Sequence, residues 1–364
     1  MARLGSTLHW LRLLREIDLR HVRREVEAPM TVRLVGDPRA ARRVAALLSS
    51  PTDAASASVI HVAPEALPEA GATRTVTVLA VPAGETAPEL RRQIERWQSS
   101  GQPLLLAVLD DARHAASEDE VEAGRIFLPA LPGAHALARR LAPALMEVVG
   151  DENERAALGR AVPALRSAAV DRLIEDTSRA NALYSATTGL AEIVPVLAVP
   201  LTAADLVVLT KNQLVMAYRI ALVAGKQGRP MDVLGEMLSV VGGGLFFRQV
   251  ARELVGLIPV LGWLPKVAIA YAGTRVIGLT VRRWALDGKV VGVGEMAALR
   301  DEALSAGRGV AAALRERLAG DDAPPALVDA ARHATEGPPV AGDPIPMPDG
   351  DGRDVFAAED GGPV

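Results

Sequence analysis

Between Met30 and Gly150, short runs of β-branched and leucine side chains alternate with helical stretches, the pattern that a parallel sheet with helices on its faces requires. The runs are Thr31-Val32-Arg33-Leu34-Val35, ending at Gly36, then 58–62, 75–81, 104–109 and a shorter one at 125–128. Helices are predicted over 39–48, 87–97 and 134–149. Pro88 suits a first turn, where its missing N–H costs nothing, and Pro143 should kink the last helix. Gly150 is expected to close that helix as a C′ glycine. Asp151, with Glu154 three residues on, then forms an N-cap and capping-box pair for the next. A connector helix over 151–180 carries the stripe Leu158, Val162, Leu165, Ala169 and Leu173, bent at Pro163.

With 364 residues, 49% of them apolar, the chain has room for two domains of about 150 residues. It has no cysteine, which excludes disulfides, thiolate zinc sites, iron–sulfur clusters and a cysteine nucleophile, and suits a reducing compartment. The six histidines are scattered without the spacing that puts two on one helix face. From Asp321 onward ten acids face Arg332 and Arg353, so this tail is −8 and the remainder +4 within a total of −4. That surplus is too small for a nucleic-acid footprint. Beyond residue 319, rising Pro, Gly and Asp content predicts a solvated, disordered acidic tail over 320–364.

Residues 4–26 read as a helix with apolar Leu4, Leu8, Leu11 and Leu14, joined by Trp10, Leu13 and Ile17. Arg12 and Arg15 interrupt any signal-peptide core, so no secretion signal is expected. The helix packs on the next domain or rests on an anionic membrane surface. Between 181 and 284 the polar faces thin out. Residues 180–204 contain one charge, Glu192, and 254–274 one, Lys266. Each run nears the ~20 apolar residues that span a bilayer, yet prolines interrupt both. Hairpins into a membrane and a buried all-α core both remain open.

The first strand and helix flank the position of a phosphate-binding loop, which needs G-x-x-x-x-G-K-[ST] so that backbone N–H groups wrap phosphates, a lysine reaches the outer ones and a hydroxyl binds magnesium. The chain reads Gly36-Asp37-Pro38-Arg39-Ala40-Ala41-Arg42-Arg43 there. Gly36 fits the first position, but Ala41 replaces the second glycine, Arg42 the lysine and Arg43 the hydroxyl residue. Gly36 and Arg42 are thus the candidate cofactor-binding residues of a vestigial phosphate loop. Asp110 and Asp111 follow the fourth strand, where small GTPases carry Asn-Lys-x-Asp, without the asparagine and lysine. By layout 30–150 resembles a GTPase-type G domain with eroded motifs.

Further on stand Pro200-x4-Asp205, Gln213-x2-Met216, Ile220-Ala221 and Gly225. Then come Gly243-Gly244, Arg248, Ile258-Pro259-x2-Gly262 and Thr274-x2-Ile277-Gly278. This ordered set resembles the YcjF-type domain of unknown function. The resemblance implies a hydrophobic helical module fused behind a GTPase-like domain, in predicted bacterial inner-membrane proteins. Pro200, Asp205, Gln213, Met216, Arg248, Pro259 and Gly262 are its candidate structural or interaction residues. The Pro-x2-Gly and Gly-Gly placements suit helix breaks and close helix approach. Asp205, Gln213 and Arg248, polar among apolar neighbours, call for a buried hydrogen-bonded network or a ligand site. Gly292-Val293-Gly294-Glu295-Met296-Ala297 matches G-x-G-x-x-A but lacks the βαβ unit a dinucleotide fingerprint needs, and no G-x-S-x-G elbow occurs.

The expected fold is α/β followed by all-α. A helix over 1–29 precedes a P-loop-like parallel-sheet domain without its motifs over 30–150. The connector follows, then a hydrophobic helical domain over 181–319 and the tail. The expected function is a non-catalytic, membrane-associated scaffold or regulator with no cofactor or metal, on the cytoplasmic side of a bacterial inner membrane. Its expected partners are membrane lipid and a protein or a second copy, and not nucleic acid. The alternatives are a divergent NTPase in which Arg42 meets GTP, and a soluble, cytoplasmic helical module that self-assembles.

Overall fold

The computed structural model describes residues 18–49, 59–61, 74–82, 103–111, 124–190, 203–240 and 263–319, with scattered helical positions between 92 and 99. Five parallel strands form one sheet: β1 (Thr31–Gly36), β2 (Val59–His61), β3 (Thr75–Pro82), β4 (Leu104–Leu109) and β5 (Arg125–Leu128). Their order is β2-β1-β3-β4-β5, a doubly wound order whose switch point falls between β1 and β3. The register runs from Thr31 opposite Thr75 to Gly36 opposite Ala80. The two-residue period of a strand sorts the side chains. Val32, Leu34, Val76, Val78, Leu105 and Ala107 enter the large core, while Val35, Leu79, Leu104 and Leu106 pack on the opposite face with Ile94. Most of the predicted helix at 87–97 lies outside the described residues.

Before the sheet, α1 (Leu19–Glu27) buries Leu19, Val22 and Val26. It packs on helices that come much later in the chain, and Arg23 Nη1 donates to Gly228 O at 2.6 Å. The first seventeen residues of the predicted N-terminal helix lie outside the described set. Behind β1 comes α2 (Pro38–Leu48). After β5, a π turn (Leu137–Leu141) leads into α3 (Ala142–Val148), so the chain adjusts one turn ahead of Pro143. Gly150 does not take the left-handed conformation expected of it, because Val149 ends α3 in extended geometry. Asp151 does cap α4 (Glu152–Ala161), accepting from Asn153 N and Glu154 N at 2.8 and 3.0 Å.

The expected single connector is two helices. Val162 leaves the helix, Pro163 opens a 3-10 turn to Leu165, and α5 (Arg166–Leu190) continues well past residue 180. Among the described residues four more helices follow: α6 (Ala203–Val223), α7 (Pro230–Val240), α8 (Trp263–Asp287) and α9 (Val293–Ala319). Ion pairs of Asp171 with Arg282 and Glu175 with Arg275 fix α5 and α8 antiparallel. A Cβ placed on Gly307 of α9 would stand 2.5 Å from Ala268 O of α8, so these helices meet backbone to backbone. One apolar cluster extends from the sheet through α2 and α3 into α4, α5, α6 and α8. Gly292 and Gly294 flank the start of α9 with no strand before them, and the dinucleotide pattern there has no sheet to serve.

Candidate functional site

The switch point is where a sheet of this order offers a ligand crevice, and the turn between β1 and α2 occupies it. One residue, Asp37, separates strand from helix. Its carboxylate accepts from Arg39 N at 3.0 Å and Ala40 N at 2.8 Å, while its own N–H donates to Ala80 O at 2.9 Å. Pro38, at the first helical position, has no N–H to offer. The donors that would hold a phosphate at a helix N-terminus are thus engaged by a side chain from the same turn. Gly36 has φ +102°, and a Cβ there would lie 2.3 Å from Ala80 O. Arg42 sits exposed on the second turn with Nε bonded back to Pro38 O at 2.9 Å. Arg43 Nη1 donates to Ala130 O at 2.6 Å, and Asp111 accepts from Ala130 N at 2.8 Å, tying the ends of β4 and β5 to α2.

Of the residues carried by the YcjF resemblance, Pro200, Arg248, Pro259 and Gly262 lie outside the described residues, and Asp205 stands on α6 with its side chain outside them. Met216 is fully buried in the core. Gln213 joins a polar cluster linking three helices. Its Nε2 donates to Thr274 Oγ1 at 3.1 Å, Asn181 Nδ2 donates to the same oxygen at 2.9 Å, and Asn212 Nδ2 donates to Asn181 Oδ1 at 2.8 Å. The Thr274 hydroxyl donates in turn to Ala270 O at 2.9 Å. Asn181 and Asn212 were not among the candidate residues, and Thr274 entered only through the Thr274-x2-Ile277-Gly278 spacing; Asn181 and Thr274 are polar side chains inside the charge-poor runs, whereas Asn212, beside Lys211, lies outside them. Thr274→Val removes the shared acceptor from two amides and is expected to cost about 2–3 kcal/mol in urea unfolding. A fully connected network of this kind fixes helix register.

Where the sheet half meets the helices, Arg155 of α4 is only 7% exposed. Its Nε donates to Met146 O at 2.8 Å and Val149 O at 2.6 Å, Nη2 to Gly150 O at 2.9 Å, and Nη1 to Asp176 of α5. Asp176 also pairs with Arg172, which pairs with Glu147 of α3 at 2.6 Å. Next to Asp176 on α5, Glu175 accepts from Tyr271 at 2.7 Å, Arg275 at 3.1 Å and Arg179 at 2.5 Å. Burial opposes charge on Glu175, but the hydrogen bonds from Tyr271 and Arg179 and the charges of Arg179 and Arg275 hold its carboxyl below the usual range.

Burial and the bond to Glu175 push the Tyr271 hydroxyl up to about 12. An exposed tyrosine titrates near 10, so the neutral hydroxyl contributes its full stabilisation below pH 10 and loses it as the pH rises from there to about 12. Tyr271→Phe is expected to lower stability by about 1 kcal/mol at neutral pH and to flatten the decline in Tm between pH 10 and 12. Parallel curves for the two proteins would refute this.

Among the described residues, no group of three or more His, Asp and Glu side chains is placed to hold a metal ion, and no helix is long and apolar enough to cross a membrane. No protein-family model, no curated protein and no solved structure matches the chain.

Proposed function

We propose that this protein is a non-catalytic scaffold or regulator on the cytoplasmic side of a bacterial inner membrane. In this reading a nucleotide-free, G-domain-like α/β half presents a YcjF-like helical half to lipid. The observation that carries the proposal is the closed turn at the switch point, where the Asp37 carboxylate takes the two N–H groups that a phosphate would need. The lipid contact rests on the arrangement of the bundle. Asn181 meets Thr274 and Asn212, which brings Leu190 of α5, Ala203 of α6 and Trp263 of α8 to one end. The sequence adjoining those ends, 191–202 and 254–262, belongs to the charge-poor runs and lies outside the described residues.

Calorimetry with GTP and ATP, with and without magnesium, is expected to give no binding heat. Micromolar affinity abolished by Arg42→Ala would establish the divergent NTPase instead. The full chain is expected to float with anionic phospholipid vesicles and to resist alkaline carbonate. A chain that stays behind and elutes as a discrete oligomer without detergent would replace the lipid partner with a second copy.

A further inference from the structure

A half-open groove of about 530 Å³ runs along the junction, between the π turn with α3 on one side and the start of α5 on the other. The volume falls within the range of small-molecule sites, roughly 300–1,000 Å³. Leu137, Met146, Ala164 and Ala168 give the groove an apolar floor, and its charged lining is three carboxylates, Glu147, Asp171 and Glu175, with one cation, Arg172. That cation is engaged on both sides, by Glu147 at 2.6 Å and by Asp176 at 3.0 Å. The Ser167 hydroxyl gives its hydrogen to Asp171 at 3.3 Å. From outside the groove Arg282 meets Asp171 at 2.8 Å, and Tyr271, Arg179 and Arg275 fill the acceptor positions of Glu175. Glu147 and Asp171 are nevertheless more than half exposed. Arg172 reaches only Oε2 of Glu147, and a carboxylate has about four acceptor positions, so both groups have room for a further donor. The facing wall adds a backbone acceptor. Ala142 N–H donates to Leu137 O within the π turn, and the next residue, Pro143, has no N–H, so Ala138 O has no helical donor of its own. Such π turns recur at functional sites.

The groove therefore offers apolar surface and acceptors, while its own donors are already committed. A carboxylate or phosphate entering it would meet Glu147 and Asp171 as like charges. A bare hydrocarbon would cover the floor and leave the acceptors to water. A molecule with an apolar body and a protonated amine answers both features: the body takes the floor, and an ammonium brings three donors to carboxylates with which it forms charge-assisted hydrogen bonds. We propose that the junction groove is a binding site for a small organic ammonium ligand, its apolar body against Leu137, Met146 and Ala168 and its ammonium held by the Glu147 and Asp171 carboxylates. Bound there, the ligand touches α3 of the sheet half and α5 of the helical half at once. The site depends neither on the lipid contact nor on the closed turn at Asp37, and goes beyond both.

Hexylamine, hexanol and hexanoate share one apolar body and differ only in the head, so titrating each into the full chain at neutral pH separates the two features. The readout is the methyl resonance of Met146 in methionine-labelled protein, assigned through Met146→Leu, with Met216, buried on α6 outside the groove, as the internal control. Hexylamine is expected to shift Met146 saturably, with a Kd on the order of millimolar for so few atoms, and to leave Met216 in place. Hexanol should bind about tenfold more weakly and hexanoate more weakly still. Glu147→Gln with Asp171→Asn changes only side chains that are more than half exposed, where ion pairs add little to stability. That variant should bring hexylamine down to the level of hexanol while hexanol itself is unchanged. Ala168→Leu, which fills the floor, should weaken all three. Equal affinity for the amine and the alcohol would overturn the proposal, as would tighter binding of hexanoate, hexylamine affinity that survives loss of both carboxylates, or no shift of Met146 with hexylamine.

Discussion

Arg155→Met is expected to destabilise the protein by about 3–5 kcal/mol, the range for removing one partner of a buried charged pair. Methionine keeps much of the volume but none of the four donor contacts. Met146 O, Val149 O and Gly150 O belong to the carboxyl end of α3 and the residues just past it, where carbonyls have no helical partner and the helix dipole is negative. In the native chain a guanidinium that is 7% exposed satisfies all three and reaches Asp176 as well. After the substitution Asp176 keeps Arg172 at 3.0 Å, so the unpaired carbonyls account for most of the loss. Arg155→Lys should recover little, because one ammonium cannot reproduce a planar fork directed at several acceptors. Urea unfolding gives the magnitude, and hydrogen exchange at 146–150 should rise ahead of exchange in β3 and β4. A loss below about 1 kcal/mol would show that water replaces the guanidinium and that this junction is not sealed.

The sheet was legible because burial on both faces forces near-continuous β-branched and leucine runs. Residues 104–109 and 125–128 form strands over the predicted range, β1 and β3 each run one residue further at the carboxyl end, and the described residues 59–61 of β2 fall within its predicted run. The turn after β1 was harder, because aligning it to a phosphate loop presupposes a loop of several residues. Asp37-Pro38 carried the contrary signal, an N-cap residue followed by the imino acid favoured at the first helical position. Hydropathy made 180–204 and 254–274 look suited to lipid. It averages over residues, and so cannot show that Asn181 and Gln213, from two helices, converge on the Thr274 hydroxyl of a third, with Asn212 bonded to Asn181 behind them. Arg155 left no trace in the sequence because most of its acceptors are backbone carbonyls, present at every position. Its burial is a property of how α3, α4 and α5 meet.

Gly36→Ala is expected to cost about 3–5 kcal/mol without touching any nucleotide affinity. Two penalties add. A non-glycine residue held at φ +102° is strained by about 1–3 kcal/mol. The new methyl would also stand 2.3 Å from Ala80 O, and relieving that contact strains β1 against β3 by a similar amount. The oxygen cannot simply move away, because it accepts from Asp37 N at 2.9 Å, the bond that sets the start of α2. Asp37→Ala gives the contrast. It removes only the cap and should cost about 1 kcal/mol, while exposing the N–H groups of Arg39 and Ala40. A glycine retained to cradle phosphate predicts a different outcome, in which Gly36→Ala abolishes GTP-induced thermal stabilisation and leaves the apo protein nearly as stable as before. Melting curves of both variants with and without GTP and magnesium separate the two. A large fall in the apo Tm for Gly36→Ala, with no shift on adding nucleotide to any of the three proteins, assigns Gly36 to the close pairing of β1 with β3 at Ala80 rather than to a ligand.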